Sequence, residues 1–305
     1  ITQVNPEALG KRELTSLEGI LETLPERLEA PLSLTHLEII RYTVGGLLDV
    51  EKAIKREAIE KTIDFSKEEL RPKHFFGRKD ELKTLSKWVN ERKKVLAISG
   101  ELGIGKTALI LKMLDDYEGR KHIFWYKCRE WDTAKTIVSS LAAFLSKMNK
   151  KTLQQYVQSK ESIELGEVST ILDTALQDVN ALLIFDNSDR AKSDVVNLFS
   201  LIKELVTTKE NTALVVIGRY IPKFYTASDI NKKIVMELTV GGLDMESSRK
   251  ILGPKIDNSD FKIIYKFTEG NPSLLEQIST EIEHQKDIKK YLREKIFSKM
   301  LMKGG

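Results

Sequence analysis

The sequence predicts an α/β protein: a three-layer core with a parallel sheet, an N-terminal helical segment and a helical C-terminal region. Three observations carry this. Five short apolar runs recur along the middle of the chain, and helical patterns alternate with them. A glycine-rich phosphate-loop pattern follows the first run directly. Strand-like runs stop after Gly241-Gly242, and helical periodicity continues from there to the end. Strands apolar on both sides and separated by helices belong to a sheet covered on both faces.

Residues 1–72 carry helical periodicity without a strand pattern. Leu14, Leu17, Leu21, Leu24 and Leu28 recur at helical spacing, broken near Pro25, and Ser33 is placed to cap a second helix. From Phe75 the pattern changes. A helix from Lys79 to Arg92 leads into the runs Val95–Ile98, Ile123–Tyr126, Ala181–Phe185, Ala213–Ile217 and Ile234–Leu238. Helical patterns fill 105–117, 133–148, 167–178 and 192–207. The expected organisation is therefore 1–72 a helical segment or ordered linker, 73–241 α/β core and 242–305 helical.

Composition narrows the classes. Of 305 residues, 41% are hydrophobic and 31% charged, which excludes disorder and low complexity. Lys and Arg number 49 against 45 Asp and Glu, a net +4 too small to imply nucleic-acid binding alone. The single cysteine, Cys128, excludes an internal disulfide framework and fits a reducing compartment. No apolar run approaches the roughly 18 residues of a membrane span, and no signal peptide opens the chain. A cytoplasmic protein without a membrane partner is expected, and Ile1 in place of Met is what a piece of a longer protein would show.

The most informative segment is Gly100-Glu101-Leu102-Gly103-Ile104-Gly105-Lys106-Thr107, continued by Ala108. It matches the pattern of Gly, four residues, then Gly-Lys-Ser/Thr. Glycines let backbone N–H groups turn toward phosphate oxygens with no Cβ in the way. The helix that follows adds its positive end. Lys106 would meet the β- and γ-phosphates of ATP, or the β-phosphate of ADP, and the Thr107 hydroxyl would ligate Mg2+. A chance match is expected in about one chain per hundred of this length, and the strand before and helix after the loop make it rarer still. The glycine spacing is not that of a dinucleotide site.

A second magnesium ligand is expected at Asp186, where four or five apolar residues end in a carboxylate at the strand's C-terminal edge. The plain alternative is a turn aspartate. Asn187 follows, and its amide cannot act as a base. Asp189 lies close with its direction open, and Glu101 or Glu130 would be other sources of a carboxylate. Arg219, after the fourth run, and Arg129, after the second, are candidate γ-phosphate sensors or ordinary surface arginines. The four histidines have no metal-ligand spacing.

The ordered set Phe76-Gly77-Arg78-Lys79-Asp80-Glu81-Leu82, the phosphate loop, Arg129-Glu130-Trp131-Asp132, Leu183-Ile184-Phe185-Asp186, Gly218-Arg219, Gly242-Leu243-Asp244 and Gly270-Asn271-Pro272 resembles STAND-type ATPases. These are the signal-transduction ATPases with numerous domains of the AAA+ lineage, and the likeness is greatest to archaeal ones. It spans about residues 75–285. The resemblance implies a strand order 5-1-4-3-2, a helical lid, Phe76, Gly77 and Arg78 bordering the adenine, and Pro272 reaching the base from the lid. It implies an ATP/ADP switch in signalling or transcription, working through a protein partner or self-association. The chain departs from the family pattern at Asn187, where an acid is usual, so slow hydrolysis is expected. The alternatives are a DNA-associated ATPase of the origin-recognition type and a non-hydrolysing scaffold. DNA contact would use a module not evident here or the basic stretch Lys286–Gly305, which otherwise reads as an amphipathic helix with a solvated face.

Overall fold

The computed structural model describes residues 63–115 and 122–283. The leucine-rich periodicity of 1–62 and the basic stretch from Lys286 lie outside them. The chain divides by internal contacts at Thr62, and the described residues belong to the unit beginning at Ile63.

Five strands form one parallel sheet: β1 (Val95–Ser99), β2 (His122–Lys127), β3 (Ala181–Asp186), β4 (Thr212–Ile217) and β5 (Val235–Thr239). Their order is β2-β3-β4-β1-β5, the order expected, with Val95 opposite Leu214 and Val235. Alternation along each strand divides the core. Val95, Ala97, Leu183, Phe185, Leu214 and Val216 face one side, while Leu96, Ile98, Leu182, Ile184, Val215 and Ile217 face the other.

Helices cover both faces. On the second face lie α1 (Lys79–Asn90), which buries Leu85 and Trp88, and α2 (Lys106–Asp115), which buries Leu109, Ile110 and Met113. On the first lie α3 (Ala134–Ser146), α4 (Thr152–Ser159), α5 (Leu165–Ala175) and α6 (Ser193–Thr208), anchored by Leu141, Leu153, Leu172 and Phe199. A short α7 (Ala227–Asn231) precedes β5 and is closed by a capping box between Thr226 and Asp229. Full burial of each such aliphatic or aromatic side chain is worth about 1.5–3 kcal/mol, so both faces contribute to holding the sheet.

After β5 the chain forms α8 (Met245–Leu252), α9 (Asn258–Thr268) and α10 (Pro272–Glu283). Asp244 caps α8 and Asp257 caps α9, each accepting backbone N–H groups of the first turn. Leu252, Ile256, Phe261, Ile264, Leu275 and Ile278 form a separate apolar cluster. The segment after β5 crosses the start of α10 at close range: Leu243 N–H donates to the Gly270 carbonyl at 2.8 Å. A Cβ at Gly270 would strike the Leu243 backbone, and Gly270 has φ +73°, so a side chain is excluded there on two counts.

Residues 63–72, the end of the expected helical segment or linker, begin alongside β2. Ile63 accepts a hydrogen bond from Ile123 N–H, Asp64 bridges to Ile123 in parallel, and Phe65–Glu68 is a single 3-10 turn. Phe65 packs edge-on against Phe144 at 5.4 Å.

Candidate functional site

The site is built at the C-terminal edge of β1, β3 and β4. β1 ends at Ser99 and the chain enters the loop with Gly100, Gly103 and Gly105 at φ +150°, +75° and +96°. The loop then feeds α2, whose first residues are Lys106 and Thr107. Lys106 Nζ donates to the carbonyls of Gly100 at 2.7 Å and Glu101 at 2.8 Å. Burial lowers the Lys106 pKa, opposed by the charges of Asp186 and Asp189. The ammonium therefore sits in a half-dry site with two carboxylates in electrostatic range.

Asp186 continues the alternation of Leu182 and Ile184, so its carboxylate emerges on the α2 side of the sheet. Thr107 Oγ1 donates to Asp186 Oδ2 at 2.9 Å, and Asn187 N–H donates to Oδ1 at 2.8 Å. The aspartate is only 2% exposed. Burial raises its pKa, and the bonds from Thr107 and Asn187 pull against that rise. A hydroxyl and a carboxylate side by side are the hard oxygen set Mg2+ takes from a protein, phosphates and water supplying the rest. Among the described residues there is no cluster of three His, Cys, Asp or Glu that would hold a metal alone.

Asn187 has left-handed backbone (φ 58°, ψ 36°) and opens the 3-10 turn Ser188–Arg190. That turn sets Asp189 against Arg219. Its Oδ1 accepts Arg219 N–H at 2.9 Å and its Oδ2 accepts Arg219 Nε at 3.0 Å. Burial alone would raise the Asp189 pKa, but these Arg219 bonds hold it below the usual carboxylate value. Arg219 adjoins the loop, since its carbonyl accepts Gly100 N–H at 3.3 Å. Arg129 stands three strands from β1, with its guanidinium 5.8 Å from the centre of the Trp131 ring. Glu101 and Glu130 are exposed. Cys128 is buried, its thiol pushed up to about 12 chiefly by burial, which makes it a core residue rather than a nucleophile.

A cleft beside the loop is lined by Phe75, Phe76, Ile104, Ala108, Leu243 and Pro272. It brings together the two segments that the resemblance places around a base. Arg78 reaches it only in part. Its guanidinium is buried and donates to Glu81 Oε1 at 2.8 Å, to the Gly241 carbonyl at 2.6 Å and to the Ile104 carbonyl at 2.7 Å. Sequence reasoning missed this clamp, because nothing in Gly77-Arg78 marks the left-handed backbone (Arg78 φ 63°) that turns the side chain inward. A polar recess on the other side of Arg78, lined by Lys79, Asp244 and Lys250, is separate from the phosphate loop.

Comparison with known proteins bears on the fold and the family. Solved structures with the same fold include the signal transduction ATPase with numerous domains and a tetratricopeptide repeat sensor from Pyrococcus horikoshii. It has 20% identity and a TM-score of 0.51, over 75% of this chain and 33% of that one. The Walker-type ATPase of Pyrococcus abyssi has 16% identity and a TM-score of 0.55, over 77% of this chain and 75% of that one. An uncharacterized WD repeat-containing protein of Nostoc sp. is 22% identical over 227 residues, which are 68% of this chain and 18% of the relative. This chain thus spans less than a fifth of the Nostoc protein and a third of the Pyrococcus horikoshii one. Residues 75–278 match the family described as an ATPase domain predominantly from Archaea. That match takes in the phosphate loop, Asp186, Arg219 and Pro272, and covers two thirds of the chain, so the protein belongs to this family of P-loop ATPase domains.

Proposed function

We propose that the protein is a switch of the STAND class that holds ATP or ADP with Mg2+ between the sheet edge and the C-terminal helices. The observation that carries this is the Thr107–Asp186 pair at a glycine loop, beside a mainly apolar cleft lined in part by Pro272. Phe75, Phe76 and Pro272 would bind the base. Loop N–H groups and Lys106 would hold the phosphates. Thr107 and Asp186 would hold the metal, which when bound offsets charge on the β- and γ-phosphates. Arg219 would sense the γ-phosphate, and Arg129, farther along the edge, would act only on a longer ligand or a partner.

Turnover is slow in this reading. Asn187 has no basicity, and Asp189 is engaged by Arg219. A nucleotide that persists suits a conformational signal passed through the helices after β5 to a protein partner or a second copy.

Nucleotide released from the purified, denatured chain should be ADP or ATP, and single-turnover hydrolysis should run well below about 1 s−1, the low end for ordinary enzymes. A chain that yields no nucleotide and binds neither ATP nor ADP would sink the reading. Rapid turnover would remove the switch from it.

A further inference from the structure

Consecutive carbonyls of the phosphate loop have donors from three places. Lys106 serves Gly100 and Glu101, and Arg78 serves Ile104. The two between them are held from the C-terminal helices. Asn271 Nδ2 donates to the Leu102 carbonyl at 2.9 Å, and Ser273 N–H donates to the Gly103 carbonyl at 3.2 Å. Asn271 is 5% exposed, and its Oδ1 accepts Ser273 N–H at 3.1 Å and Leu274 N–H at 3.4 Å. One side chain thus caps α10 with its oxygen and grips the loop with its nitrogen. The fit is close: a Cβ at Gly103 would lie 2.7 Å from Ser273 Cβ.

The peptide bonds are trans, so the C=O of one residue and the N–H of the next point opposite ways. Holding the Leu102 carbonyl toward Asn271 turns Gly103 N–H to the opposite side, and Arg78 does the same for Gly105 N–H. Loop amides turned to one side in this way form an anion cradle. We propose that Asn271 is a positioning residue for phosphate binding: it completes the cradle only when the start of α10 is docked on the loop. By linkage, a bound diphosphate then favours the docked helix to the same degree that docking favours the diphosphate. This rests on the nucleotide reading above and adds the tether that couples nucleotide to helix position.

Two variants separate the tether from the cap. Asn271→Asp and Asn271→Ser both keep a good cap, but neither presents an N–H to Leu102. Calorimetric titration with ADP and with adenosine is the test. Both variants should bind ADP about tenfold more weakly, the size of one lost hydrogen bond. Adenosine affinity should change less than about threefold, and nucleotide-free melting should fall by no more than the loss of one hydrogen bond. If Asn271→Asp does not fold, Asn271→Ser carries the test. ADP affinity equal to the parent in the folded variants overturns the proposal, as does an equal loss for ADP and adenosine, which would make the helix a base contact only. A parent chain that binds no ADP removes the nucleotide reading itself, and the tether with it.

Discussion

Arg219 and Asp189 hold each other across the ends of β4 and β3, through Arg219 N–H to Oδ1 at 2.9 Å and Nε to Oδ2 at 3.0 Å. The carboxylate is 6% exposed and the arginine side chain 53%. The pair engages an acid two residues from Asn187 and an arginine whose backbone carbonyl adjoins the loop. A γ-phosphate that draws Arg219 must therefore compete with Asp189.

Removing the competitor should favour the triphosphate. Asp189→Ala frees the guanidinium, and a partly exposed pair is worth about 0.2–1 kcal/mol. ATP should bind up to about fivefold more tightly relative to ADP, as read by titration with each nucleotide. An unchanged ATP-to-ADP ratio would exclude Arg219 as the sensor.

Arg78→Ala and Arg78→Lys should both destabilise the fold. The guanidinium links the loop, the segment after β5 and Glu81 from one buried position. Breaking such a network typically costs about 3–5 kcal/mol. Lysine cannot reproduce the fork of donors, so it should recover little. Denaturant unfolding without nucleotide measures both, and a loss below about 1 kcal/mol would show that the clamp is dispensable.

Asp186→Asn should separate metal binding from stability. Burial raises the Asp186 pKa above its ordinary value of 3.8. The stability linked to this group is thus full below that value and is lost as pH rises through the raised folded pKa. At neutral pH the amide should leave the nucleotide-free protein as stable as the parent or more so, and the advantage should shrink as the pH is lowered toward 4. The gain in ATP affinity on adding Mg2+ should disappear. Melting curves across pH, with and without Mg-ATP, check both halves.

Asn187→Asp should raise single-turnover hydrolysis without much change in ATP affinity. Asn and Asp both tolerate the left-handed backbone at this position, so the exchange is nearly free of strain. A positioned base contributes about 10²–10⁴-fold, and a clear increase is expected. No change would move attention to Glu101 and Glu130.

The strands were legible because four of them are runs apolar on both faces, and the structure places all five within a residue or two of the expected bounds. The order of the sheet followed from the family likeness. Less was legible where one contact decides the conformation. Helix α4 buries only Leu153 and Val157, too sparse a stripe to read as a helix, and five-residue α7 depends on its capping box. Gly270-Asn271-Pro272, marked only by the family likeness, separates α9 from α10. The reach of Asn271 across 169 residues to Leu102 leaves no local trace. The direction of Asp189 depends on a three-residue 3-10 turn that only the meeting with Arg219 defines.

The most direct measurement is thermal unfolding of the parent chain and of Lys106→Ala with and without Mg-ADP. At a hundredfold excess over Kd the nucleotide should stabilise the parent by about 2.7 kcal/mol, a rise of several degrees for a chain this large. Lys106→Ala should fold but lose most of the rise, since truncating one partner of a desolvated charge pair costs about 2–5 kcal/mol. A parent that does not shift at millimolar Mg-ADP, or a Lys106→Ala variant that shifts as far as the parent, would contradict a nucleotide seated on this loop.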